Sequence, residues 1–144
     1  MIKKNNLSCF ILFICLAAIL CGCGRKKWPQ PAESESHFRL VETEAARQGQ
    51  CLHLNVLVRG PIENLSHLVL EIAPMDEQNC AGCPFVPRAR FEYAPGSSGV
   101  RFSENSAYIA QCGLDENLPY RYRLLGYNVF DTIEPIITPV RLAQ

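Results

Sequence analysis

Apolar and polar residues alternate along most of this chain with a period of two. Leu52, Leu54, Val56 and Val58 alternate with His53, Asn55, Leu57 and Arg59, and Leu68, Leu70 and Ile72 alternate with Val69 and Glu71. Tyr120, Tyr122, Leu124 and Gly126 alternate with Arg121, Arg123, Leu125 and Tyr127. Arg90-Phe91-Glu92-Tyr93 and Tyr108-Ile109-Ala110 are short and rich in β-formers, and residues 136–142 close the chain with a further such run. Successive side chains of a strand point to opposite faces of a sheet, so this period predicts strands with one buried face. Turn formers separate the runs at Gly60-Pro61, Pro95-Gly96, Gly113-Leu114-Asp115 and Glu134-Pro135. About seven strands at such spacing predict an all-β fold, an antiparallel β-sandwich. Residues 41–48 are the one later stretch compatible with a helix, and a short one.

The N-terminal segment breaks the alternation. From Leu7 to Leu20 only Ser8 is polar, and Lys3 and Lys4 precede the run. A basic start, an apolar run of about 7–15 residues and small residues after it make a secretory signal peptide. The run is shorter than the roughly 20 apolar residues that span a bilayer, although an uncleaved anchor is the alternative. Gly24 to Ser36 then carries two prolines, many polar groups and no aliphatic periodicity, which predicts an extended tether. If a membrane lies beside it, Arg25, Lys26 and Lys27 each add about 1 kcal/mol of attraction to anionic headgroups. Trp28 suits the interfacial zone. A merely solubilising linker has the same composition.

Charge changes the picture by exclusion. The chain holds 14 basic and 14 acidic side chains, without blocks of one sign. Nucleic-acid binding shows as a basic excess, which is missing. Beyond Lys27 every cation is arginine or histidine, and residues 37–144 hold nine Arg against twelve Asp and Glu. The domain is mildly acidic.

Leu20-Cys21-Gly22-Cys23 resembles the lipobox of bacterial lipoproteins, in which a leucine, a small residue and a glycine or alanine precede the modified cysteine. The resemblance implies that Cys23 becomes the diacylglyceryl-modified first residue of the mature chain, Cys21 being the competing candidate. One acyl chain holds a protein only marginally, whereas two or three hold it essentially permanently. Gly24 follows the anchor, a pattern that in enterobacterial lipoproteins implies release to the outer membrane. Gly22-Cys23-Gly24-Arg25-Lys26-Lys27-Trp28-Pro29 also looks like the opening of small outer-membrane lipoproteins. The resemblance therefore implies a bacterial cell-envelope location, with the membrane engaged through the N-terminal lipid. Residues 1–22 are then signal peptide, 23–37 the lipidated cysteine and tether, and 38–144 one β-sandwich.

Tyr120-x-Tyr122-x-Leu124-x-Gly126-x-Asn128, with Leu114 six residues before it, looks like strand F of fibronectin type III domains. Thr138-Pro139-Val140-Arg141-Leu142 similarly looks like the closing strand G. The resemblance implies a seven-stranded immunoglobulin-like sandwich over residues 38–144, with Tyr120 forming a tyrosine corner whose hydroxyl bonds to backbone upstream. One departure is plain. Such domains carry a tryptophan at the end of strand B, and Trp28, the only tryptophan, lies in the tether.

Of the eight cysteines, Cys51, Cys80, Cys83 and Cys112 lie beyond the anchor, in a chain bound for a disulfide-permissive compartment. Four cysteines allow three pairings, and sequence alone selects none. In the sandwich that the resemblance implies, Cys51 opens strand B and Cys112 ends its antiparallel neighbour E. That implies Cys51–Cys112, and leaves Cys80–Cys83 as a staple in the loop after strand C. Cys80-Ala81-Gly82-Cys83 also has redox-motif spacing, but a thioredoxin-type site needs a strand and a helix that Pro84 and Pro87 oppose. Zinc needs two such pairs, and c-type haem needs a histidine where Pro84 stands.

No nucleophile elbow, phosphate-binding glycine loop or zinc-protease helix occurs in the sequence. No catalytic residue, metal, cofactor or small-molecule substrate is therefore expected. The expected partner-contact loop is Tyr127, Asn128, Val129 and Phe130, between the last two strands. The leading expectation is a membrane-anchored lipoprotein presenting a protein-interaction domain to an envelope protein. The rivals are a thiol–disulfide oxidoreductase using Cys80 and Cys83, and a purely structural envelope component.

Overall fold

The computed structural model describes residues 36–77 and 79–143. The expected signal segment, the lipidation site Cys23 and the tether as far as Glu35 lie outside the described residues. The remainder forms nine strands: β1 (Arg39–Gln48), β2 (Cys51–Arg59), β3 (Leu65–Pro74), β4 (Ala89–Tyr93), β5 (Val100–Phe102), β6 (Ser106–Gln111), β7 (Tyr120–Asn128), β8 (Ile136–Ile137) and β9 (Arg141–Ala143). One turn of 3-10 helix (Ile62–Asn64) precedes β3. The first sheet runs β1-β2-β6-β5. The second runs β4-β3-β7, with β8 and β9 both paired to the far side of β7. Every pairing is antiparallel.

The inward residues of the two sheets make one core. Leu52, Leu54, Val56 and Val58 of β2 meet Leu68, Leu70 and Ile72 of β3, and Tyr122 and Leu124 of β7. Each such side chain, fully buried, stabilises the fold by about 1.5–3 kcal/mol. Phe38 enters the core just before β1 and is 1% exposed. Its ring lies where a side chain at Gly126 would project: an added Cβ there would come within 2.8 Å of Phe38 Cε2. That is why β7, otherwise built of large residues, carries a glycine.

Residues 41–48 are strand, not helix. They belong to β1, in register with β2 from Leu40↔Val58 to Gln48↔Cys51, with one irregularity between Glu42 and Glu44. Gly49 takes φ 56°, and with Gln50 makes the two-residue connection that folds β1 back on β2. The alanines, glutamates and arginine of this segment have good helix propensity, but pairing with a fully alternating partner outweighs a few tenths of a kcal/mol per residue. The strand count also exceeds the expected seven. The closing strand is broken by Pro139, which has no N–H to donate, and the three residues of β5 carry too little pattern to be seen.

Cys51–Cys112 is formed and ties the start of β2 to the residue after β6, beside the pair Leu52↔Gln111. Cys80–Cys83 is formed within the long connection between β3 and β4.

Candidate functional site

The outer face of the second sheet is where the sequence pattern and the structure part. Val69 and Glu71 alternate with the core residues of β3, which predicts a solvent-facing side, yet both are buried, as is Ala73. The connection 75–88 covers the Glu71 end of this face through Phe85 and the Cys80–Cys83 turn, while Val69 borders the open end. Asn79, 0% exposed, organises this connection: its N–H donates to Asp76 Oδ1 (2.8 Å), and its own Oδ1 accepts the Val86 N–H (3.1 Å). Among the described residues the side-chain nitrogen Nδ2 of Asn79 has no hydrogen-bond partner. Cys83 N–H donates to Cys80 O (3.0 Å), closing a tight turn that the disulfide spans.

Arg121 of β7 fastens this turn to the sheet. Its Nη1 donates to both Cys80 O (2.8 Å) and Cys83 O (2.9 Å). The guanidinium groups of Arg121 and Arg123 lie 5.6 and 5.2 Å from the centre of the Phe85 ring, within cation–π range. Beneath them Arg123 Nε donates to Glu71 Oε2 (2.6 Å), and Arg90 Nε lies 3.3 Å from Oε1. The Glu71 side chain is 4% exposed, so its charge is tolerated because two cations hold it.

Beyond the covered half, the same face opens into a cleft of about 310 Å³ lined by His67, Val69, Arg90, Glu92 and Tyr127. His67 stacks on Tyr127 with ring centres 4.5 Å apart and planes 8° from parallel. His67 Nε2 lies 3.8 Å from Glu92 Oε1, and Arg90 Nη2 lies 3.5 Å from the Tyr127 hydroxyl. A smaller hollow beside the disulfide turn is lined by Met75, Ala81, Arg121, Val140, Arg141 and Leu142. On the first sheet the Tyr108 hydroxyl and His53 Nδ1 are 2.7 Å apart. Among the described residues no three His, Cys, Asp or Glu converge as a metal site.

The loop after β7 lies beside Ser36, the first described residue. The Ser36 carbonyl, in a residue 3% exposed, accepts from Asn128 Nδ2 (2.7 Å) and Asn64 Nδ2 (3.3 Å). Asn128 Oδ1 accepts the Phe130 N–H (3.0 Å), Asn64 O accepts the Val129 N–H (2.9 Å), and Phe130 O accepts the Ile133 N–H (3.0 Å). The loop backbone is thus held by three hydrogen bonds while Val129 and Phe130 stand 48% and 39% exposed. Of the four expected contact residues, these two face outward. Asn128 turns inward as the clamp, and Tyr127 lies on the sheet face against His67.

The Tyr120 hydroxyl accepts the Asp115 N–H (2.9 Å), a bond to backbone five residues upstream. Arg47 lies over its ring at 5.3 Å and donates to Leu118 O (2.5 Å) and to Asp115 O. Sequence reasoning missed Arg47, Arg121, Glu71 and the Ser36 clamp. One signal was present: Arg121 and Arg123 are two cations on one face of a central strand, an expensive arrangement unless something covers and pairs them.

No protein-family model matches the chain, and no curated protein matches it significantly. The functional reading therefore rests on its own residues.

Proposed function

We infer that this chain is a bacterial envelope lipoprotein: a signal peptide to Gly22, lipid on Cys23, a tether to about residue 37, and one fibronectin-III-like domain for contact with an envelope protein. Several features support the domain reading. Lettered in chain order, the sheets read A-B-E-D and C′-C-F-G, the Tyr120 hydroxyl bonds upstream backbone, and β8 with β9 makes a split strand G. Two disulfides agree with an exported chain. The extra strand D and the missing strand-B tryptophan leave the domain an immunoglobulin-like relative of that family rather than a close copy.

The observation that carries the interaction role is the loop after β7. Val129 and Phe130 are large, apolar and exposed on a backbone that is already fixed, so binding through them loses little conformational entropy. An aromatic anchor of this kind is the usual centre of a protein contact. The test is co-purification of the full chain with its envelope partner after crosslinking in cells. Val129→Ser with Phe130→Ser should abolish the partner's recovery while the thermal midpoint stays within a few degrees. Undiminished recovery would move the contact elsewhere.

A second reading, thiol–disulfide exchange at Cys80–Cys83, is favoured by one observation. Cys80 is exposed beside a hollow lined by four apolar residues and two arginines. Cys83→Ser should then trap a mixed disulfide through Cys80. A folded variant that traps nothing removes this reading.

A further inference from the structure

Each sheet ends in two edges, and an unpaired edge is a template for another strand. Three of the four are less suited to regular pairing. β1 is irregular between Glu42 and Glu44 and lies near β8 and β9 of the other sheet. The β8–β9 edge is interrupted at Thr138 and Pro139, and Thr138 Oγ1 accepts the Leu124 N–H (2.9 Å) in place of a ladder bond. β5 has three residues, and pairing centred on it would set Arg101 against its own copy.

β4 differs. Its five residues, Ala89–Tyr93, are uninterrupted, with Pro87 and Pro95 outside them. It pairs only through β3 on one side, in register Glu71↔Arg90, Leu70↔Phe91 and Val69↔Glu92. Arg90 and Glu92 project on the solvent face, 57% and 67% exposed. An antiparallel strand laid along this edge with a twofold axis at Phe91 would set Arg90 opposite Glu92 of the second strand, and Glu92 opposite its Arg90. The sequence Arg90-Phe91-Glu92 is therefore complementary to itself and to no shifted copy of itself.

We propose that β4 is a homodimer edge: two copies of this chain join through antiparallel β4 strands about a twofold axis at Phe91. The contact is isologous, so it closes at two copies and does not propagate. The half-buried Phe91 rings meet near the axis on the core side, where directly opposed Cβ atoms lie about 5 Å apart. On the other side the two pairs of opposite charges bridge the copies. Because the axis is perpendicular to the sheet, the two His67–Tyr127 clefts come onto one face and join across it. The proposal is independent of the lipid and of the loop after β7.

Sedimentation of the full chain in detergent tests it. The wild-type chain should form a dimer as its concentration rises. Glu92→Arg sets arginine against arginine at both positions, and Arg90→Glu sets glutamate against glutamate. Each change should weaken self-association by about tenfold or more. An equal mixture of the two variants should recover the dimer, because every opposed pair then carries opposite charges. Arg90→Glu also removes one cation from buried Glu71, so a second measurement does not depend on its folding. A photo-crosslinker replacing Glu92 in the otherwise unchanged full chain should give an adduct of twice the chain mass. A wild-type chain that stays monomeric at all concentrations, or variants that associate as the wild type does, would overturn the proposal. So would crosslinking only to a different protein.

Discussion

Two tyrosines show how single residues set the pH range of this fold. Burial pushes the Tyr93 phenol up to about 12, and its hydroxyl donates to Gln111 Oε1 (2.6 Å). Burial, and then the Glu42 carboxylate that accepts its hydrogen bond at 3.0 Å, push the Tyr122 phenol up well beyond the ordinary tyrosine range. In the unfolded chain both titrate near 10. A raised folded pKa means the native state keeps the proton longer, so the stability tied to it is complete below about pH 10 and falls as the pH rises through the folded values. Denaturant midpoints measured from pH 8 upward should be flat and then decline above about pH 10. Tyr93→Phe with Tyr122→Phe should make that decline shallower. A decline of unchanged steepness would mean that other groups govern alkaline unfolding.

At the scale of elements, alternation was legible and cover was not. The period of two identified β2, β3 and β7, whose alternate residues enter the core, and β-forming composition marked β6. The same pattern failed at β1, where helix-forming residues are held as strand by their partner, and on the outer face of β3. Nothing local in residues 75–88 says that they fold back over Glu71. That follows from Arg121 and Arg123, which lie some forty positions later in the chain. The two disulfides are elements of unequal weight for a related reason. Cys51–Cys112 has a sequence separation of 61 and Cys80–Cys83 one of 3. Loop-closure entropy gives about 4 kcal/mol for the first and about 2 kcal/mol for the second. Chemical denaturation should therefore find Cys51→Ser with Cys112→Ser roughly twice as costly as Cys80→Ser with Cys83→Ser. Equal costs would mean that the short disulfide, through the turn that Arg121 holds, stabilises much more than its span implies.

For the whole molecule, the candidate loop was found in sequence, but its construction was not. Val129 and Phe130 were legible as apolar residues in an expected loop, whereas the inward turn of Asn128 depends on Ser36, ninety-two positions away. That clamp holds Ser36 beside the exposed loop. The proposed function stands on lipid at Cys23. The most direct measurement is the intact mass of the full-length gene product extracted from membranes, with thiols blocked before and after reduction. The account predicts a chain that begins at Cys23, carries acyl groups, and has its other four cysteines protected until reduced. A chain that begins elsewhere or carries no acyl group would contradict it.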